Sequence, residues 1–86
     1  MKDIDLLTKL LGECETRLRR TPDFRPLMIV KEEVQYLVAL MEGKTKDRSN
    51  LANIQIGLLA VREFEADDPE FAELIFQAAD VVKKLR

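Results

Sequence analysis

An all-α fold, an antiparallel four-helix bundle, is what this 86-residue sequence predicts, on three observations. Apolar residues recur at spacings of three and four in four successive segments, the period of one helix face. Stop and start signals at Pro22, Gly43 and Asp68-Pro69 separate those segments. No segment alternates apolar and polar residues, and no Asn-Gly or Asp-Gly turn occurs, so no sheet is expected. Four amphipathic helices joined by short turns bury their apolar faces against one another. The length fits one domain, residues 1–86.

The first helix is expected over about residues 3–19. Ile4, Leu7, Leu11, Cys14 and Leu18 form one face, widened by Leu6 and Leu10. Arg19 and Arg20 suit the negative end of the helix dipole, and Pro22 closes it. The second helix begins between Asp23 and Pro26, because proline is tolerated in a first turn. Leu27, Val30, Val34, Leu37 and Met41 form its inner stripe, and Gly43 supplies the left-handed residue that ends it. Lys44 to Arg48 reads as a short basic turn. Asp47 or Ser49 caps the third helix, whose expected inner stripe is Leu51, Ile54, Leu58 and Val61 and whose end lies near Phe64. Asp68, Pro69 and Glu70 combine a capping side chain, a first-turn proline and a first-turn acid. They start a fourth helix with Phe71, Leu74, Ile75, Ala78, Val82 and Leu85 on one face.

The second and third helices carry more apolar residues than one stripe needs: Ile29, Tyr36 and Leu40 in one, Ile56 and Leu59 in the other. Central helices that bury two faces account for this, and so does a partner or dimer interface. Tyr36, the only tyrosine, is of a type favoured at interfaces, because it joins a large ring to a polar tip. Gly57, mid-helix, costs about 1 kcal/mol against alanine, so a close approach is expected there, by a neighbouring helix or by a partner.

Composition excludes several functions. An apolar content of 47% with 35% charged residues belongs to a folded domain. A net charge of −2 and a pI near 5.2 argue against nucleic acid, which requires a basic face. The basic segment Arg17, Arg19, Arg20, Arg25 and Lys31 lacks interleaved aromatics and reads as a helix end plus a solvated loop. The acidic N-terminus does not resemble a signal peptide, and no apolar run reaches the roughly 20 residues that span a bilayer. A lone cysteine, Cys14, excludes a disulfide framework and fits a reducing, cytoplasmic setting. Cys14 reads as an inert core residue, since no cation in its own turn is expected to lower its pKa.

The chain has no histidine, which removes the commonest general base and zinc ligand. Glu13-Cys14-Glu15 is not a metal motif, and no glycine-rich phosphate loop is present. No cofactor or metal is expected. Glu70 and Glu73 read as solvated carboxylates rather than an acid–base pair. The expected class is therefore a binding protein, not an enzyme.

The stretch from Asp47 to Phe71 is the most informative. It reads as a helix, a tight acidic corner and the start of the next helix. Glu63 and Glu65 stand at a helix C-terminus, where carboxylates cost a few tenths of a kcal/mol. Acids kept at such a place suit a role outside the fold. A merely solvated corner formed by Glu63, Glu65, Asp67 and Asp68 is the competing account.

In Gln35-Tyr36, Asp47-Arg48-Ser49, Gly57, Ala60-Val61, Glu63-Phe64, Asp67-Asp68-Pro69 and Glu70, the chain resembles the small helical immunity proteins that accompany type VI secretion effectors of the NAD(P)+ glycohydrolase kind. The likeness covers roughly residues 20–74 and rests on the order and spacing of these pieces. It implies an all-helical protein without activity of its own that forms a heterodimer with a cognate effector toxin domain and blocks its active site. Acidic residues aimed at a basic pyrophosphate pocket would also steer association. Partner contact is therefore expected at Glu63, Glu65, Asp67 and Asp68, and secondarily at Arg48, Gln35 and Tyr36. The alternative is a self-associating helical adaptor built on the surplus of Ile29, Tyr36 and Leu40. Homo-oligomerisation of the free protein stays open in either case.

Overall fold

Good helix formers with an apolar residue every third or fourth position give α1 (Asp3–Arg20), which starts on Asp3 and Asp5 and ends on Arg17, Arg19 and Arg20. Both ends therefore complement the helix dipole. In the computed structural model, which describes residues 2–86, three more helical segments follow. They are α2 (Arg25–Met41), α3 (Ile56–Leu59), which runs on into a π turn (Ala60–Phe64), and α4 (Pro69–Leu85). A short 3₁₀ segment (Ser49–Asn53) precedes α3. No strand occurs among the described residues. α1 packs on α2 and α4, and the third segment packs between α2 and α4.

The ends follow the local chemistry. Gly43 takes φ +75°. Its N–H donates to the Leu40 carbonyl at 3.2 Å, and the Lys44 N–H donates to the Ala39 carbonyl at 2.9 Å. That pairing satisfies the last carbonyls of α2 and requires a left-handed residue. Asp68 caps α4 by accepting from the Phe71 N–H, with Pro69 in the first turn. Asp47 accepts from the Ser49 N–H at 2.9 Å, a local turn that starts the 3₁₀ segment.

One expectation fails. The third helix is not continuous, and its inner face is not Leu51, Ile54, Leu58 and Val61. Leu51 is buried and Ile54 packs against the core, but Leu58 and Val61 are 52% and 55% exposed. The buried residues are Ile56, Ala60 and Phe64. The chain becomes extended at Ile54 (ψ 127°), and the helix restarts with a new phase. The restart is fixed from α2, where the Glu33 carboxylate accepts from the Gln55 N–H at 2.8 Å. Asn50 and Asn53, poor helix formers, make the break cheap. Met41 also lies outside the core, at the exposed end of α2.

The core is wholly apolar: no polar or charged residue among those described is buried. Leu7, Leu10, Cys14, Val30, Val34, Leu37, Ile56, Phe71 and Ile75 are its largest fully enclosed side chains. The second-helix surplus goes into the fold in part: Ile29, Tyr36 and Leu40 are half-buried, and Tyr36 and Leu40 pack against the core. Gly57 faces Ala79 of α4, where an added Cβ would stand 3.6 Å from the alanine Cβ. The neighbour is a helix of the same chain, at ordinary contact distance.

Candidate partner-binding surface

The acidic corner is a built structure. The π turn closes with the Glu65 N–H donating to the Ala60 carbonyl at 2.8 Å, and the Asp68 N–H donates to the Phe64 carbonyl at 2.7 Å. The chain thus turns from the third segment into α4 with its backbone paired. Beneath it, the Phe64 and Phe71 rings meet edge-to-face at 4.9 Å, a geometry aromatic quadrupoles favour. Phe24, ahead of α2, adds a second edge-to-face contact on Phe64 at 6.0 Å.

α1 anchors the corner through Arg17. Its Nε donates to Asp68 Oδ2 at 2.7 Å and its Nη2 to Asp68 Oδ1 at 3.3 Å. Nη1 donates to Glu13 Oε1 at 2.7 Å, and the guanidinium lies 4.3 Å from the Phe71 ring centroid. Such a two-pronged pair fixes orientation as well as charge. The Arg17 hydrogen bond holds the Asp68 carboxyl below its ordinary range, and the Asp68 hydrogen bond raises Arg17.

The four expected acids therefore divide. Asp68 is half-buried and engaged in the fold as cap and ion-pair partner. Glu63, Glu65 and Asp67 are exposed, and none of the ion pairs among the described residues involves them. Glu63, Asp67 and Asp68 line a cleft of ≈ 350 Å³ opposite Arg17, Arg20, Thr21, Phe24 and Leu27, with Phe64 at its base. Phe24 and Arg20 had no place among the sequence candidates. They reach the corner through the α1–α2 turn, and the one local signal was an aromatic residue between Pro22 and Pro26 in an otherwise polar connection.

The secondary candidates do not join this corner. The Tyr36 hydroxyl donates to the Asp47 carbonyl at 2.6 Å and pins the connection after α2. Arg48 donates to the Leu85 carbonyl at the end of α4, where a cation suits the dipole. Gln35 is exposed beside a groove lined by Leu18, Pro22, Met28, Lys31 and Glu32.

Burial pushes the Cys14 thiol up to about 12, and the nearby cation Arg17, one turn away, lowers it less than burial raises it. The expectation of no cation in its turn thus overlooked Arg17, though the thiol is held protonated all the same. No cluster of metal-ligating side chains occurs among the described residues, and no helix is long and apolar enough to cross a membrane.

The chain is 30% identical to the immune protein Tsi6 of Pseudomonas aeruginosa over 78 residues, 91% of this chain and 83% of that protein. The solved structure of Tsi6 from Pseudomonas aeruginosa superposes with a TM-score of 0.90 at 29% identity, covering 95% of this chain and 85% of that one. A structure of Tse6 in complex with Tsi6 matches with a TM-score of 0.93 at 28% identity, covering 99% and 90%. The Tsi6 family model matches residues 2–84, so the chain belongs to the Tsi6 family of immunity proteins.

Proposed function

We propose that this chain neutralises a cognate effector toxin domain by binding it as a heterodimer and blocking its active site, and that the toxin is a type VI effector consuming NAD(P)+. The helices are read as an antiparallel bundle that serves as a rigid mount, and the protein acts in the cytoplasm of the toxin-producing cell. The observation that carries the reading is the corner itself. Glu63, Glu65 and Asp67 stand exposed and unpaired among the described residues on a backbone anchored by the Arg17–Asp68 pair. Carboxylates fixed in this way complement a basic nucleotide pocket and speed encounter with it. The relative Tsi6 has been solved in complex with Tse6, which supports a toxin as the partner of this chain. Glu63, Glu65, Asp67 and Asp68 are the main contacts in this reading, with Arg48, Tyr36 and Gln35 as secondary ones.

The test is the affinity of the full chain for the toxin domain encoded beside it, together with NAD(P)+ hydrolysis by that domain. A Kd near or below about 10⁻⁹ M with hydrolysis lost at a one-to-one ratio is the expected result. Binding without any such hydrolysis would overturn the glycohydrolase assignment and keep immunity. Reversing charge at Glu65 and Asp67 together is expected to weaken binding by about tenfold or more, about 1.4 kcal/mol, without lowering the Tm of the free protein.

A further inference from the structure

The cleft beside the corner has something the acids alone lack, an apolar floor. Leu27 and Phe64 are buried beneath it, and the Phe24 ring, 38% exposed, forms its edge. The ring meets Phe64 edge-to-face at 6.0 Å. The rim carries opposite charges on its two sides, Glu63 and Asp67 from the corner and Arg20 from the end of α1. None of these three takes part in an ion pair among the described residues. The other cation at hand, Arg17, is already committed to Asp68, Glu13 and the Phe71 face. A desolvated apolar centre inside a charged rim is the form that binding hot spots take.

We propose that this cleft receives an apolar side chain of the toxin domain, flanked by a cation that meets Glu63 and Asp67 and by a carboxylate that meets Arg20. The proposal rests on the reading that a toxin is bound at this corner, and adds to it Phe24 as the apolar anchor and Arg20 as the residue that sets orientation. Charge complementarity selects the occupant, because a partner with either sign alone would face repulsion from one side of the rim. The other exposed apolar pair, Leu58 and Val61, belongs to the third segment and does not line this cleft. The groove beside Leu58 has a rim of one sign only, from Lys83 and Arg86.

The experiment is the affinity of the cognate toxin domain for the full chain and three variants. Phe24→Ala and Arg20→Glu are each expected to weaken binding by about tenfold or more. Arg20→Glu is expected to lower the Tm of the free protein by no more than a few degrees, the effect of one reversed charge at the end of α1, so it carries the test even where Phe24→Ala loosens the fold. The double variant Leu58→Asp, Val61→Asp is expected to bind within about twofold of wild type. Undiminished binding in Phe24→Ala and Arg20→Glu, or loss confined to the Leu58/Val61 variant, would overturn the cleft while leaving the toxin reading intact. A wild-type chain that does not bind the toxin would sink the toxin reading, and the cleft as a toxin socket with it.

Discussion

Single side chains here have separable jobs, and Asp68 shows how far one can reach. It caps α4, accepts two hydrogen bonds from Arg17 and thereby fixes the corner to α1. Removing a cap costs about 1 kcal/mol, and a half-exposed ion pair adds at most about another. Asp68→Ala is therefore expected to lose about 1–2 kcal/mol in chemical denaturation at pH 7. The pH dependence has a definite sign. The folded pKa is lowered from 3.8, first by the Arg17 hydrogen bond, so the contribution is complete above the unfolded value and fades as pH falls through the folded one. The gap between wild type and Asp68→Ala is expected to narrow as pH falls below 3.8 and through the lowered folded value, and a gap that does not narrow there would contradict the ion-pair account. The glycines make a second contrast. Gly43 sits at φ +75°, so Gly43→Ala is expected to cost about 1 kcal/mol. Gly57→Ala adds a Cβ at ordinary contact distance from Ala79, and its higher helix propensity predicts a Tm equal to wild type or higher.

At the scale of elements, α1, α2 and α4 were legible because each keeps one phase from a clear start to a clear stop. Cations end α1, Gly43 ends α2, and Asp68-Pro69 opens α4. The third segment was not legible, because its phase is reset by a side chain from another helix. Glu33 and Gln55 lie 22 residues apart, and no local pattern announces that contact. The acidic corner was legible as one contiguous run, whereas Phe24 and Arg20 join it only through the fold. Glu33 yields its own prediction. Burial raises its carboxyl above the ordinary 4.5, and the Gln55 hydrogen bonds oppose this more weakly. A raised acid costs stability as pH climbs from the unfolded value through the folded one. Glu33→Gln keeps an acceptor for Gln55 and sheds that cost. It is expected to match or exceed wild-type stability at pH 7 and to lose this advantage below about pH 4. Glu33→Ala removes the acceptor and is expected to lose about 1 kcal/mol at neutral pH. Equal losses in both variants would mean that the charge, not the acceptor, starts the third segment.

At the scale of the whole molecule, a chain of 86 residues buries only about 60–65% of the surface of its unfolded form, so little stability is held in reserve. Yet Phe24, Met28, Leu58 and Val61 stay outside the core, and acids are kept at the end of the third segment, where the dipole disfavours them. A sequence selected for stability alone would place them otherwise. A partner that binds the folded form would add the missing stability. For a partner at 1,000 times its Kd the gain is about 4 kcal/mol, which for a domain of this size corresponds to a Tm rise of about 15–30 °C. A self-associating bundle makes a different prediction, because its Tm rises with its own concentration. Thermal unfolding across a hundredfold range of protein concentration, with and without the toxin domain, separates the two. Immunity requires a Tm raised strongly by an equimolar toxin domain, whether or not it also rises with self-concentration. A Tm that follows self-concentration and ignores the toxin domain would return the exposed apolar residues to the account in which a second copy of the chain covers them.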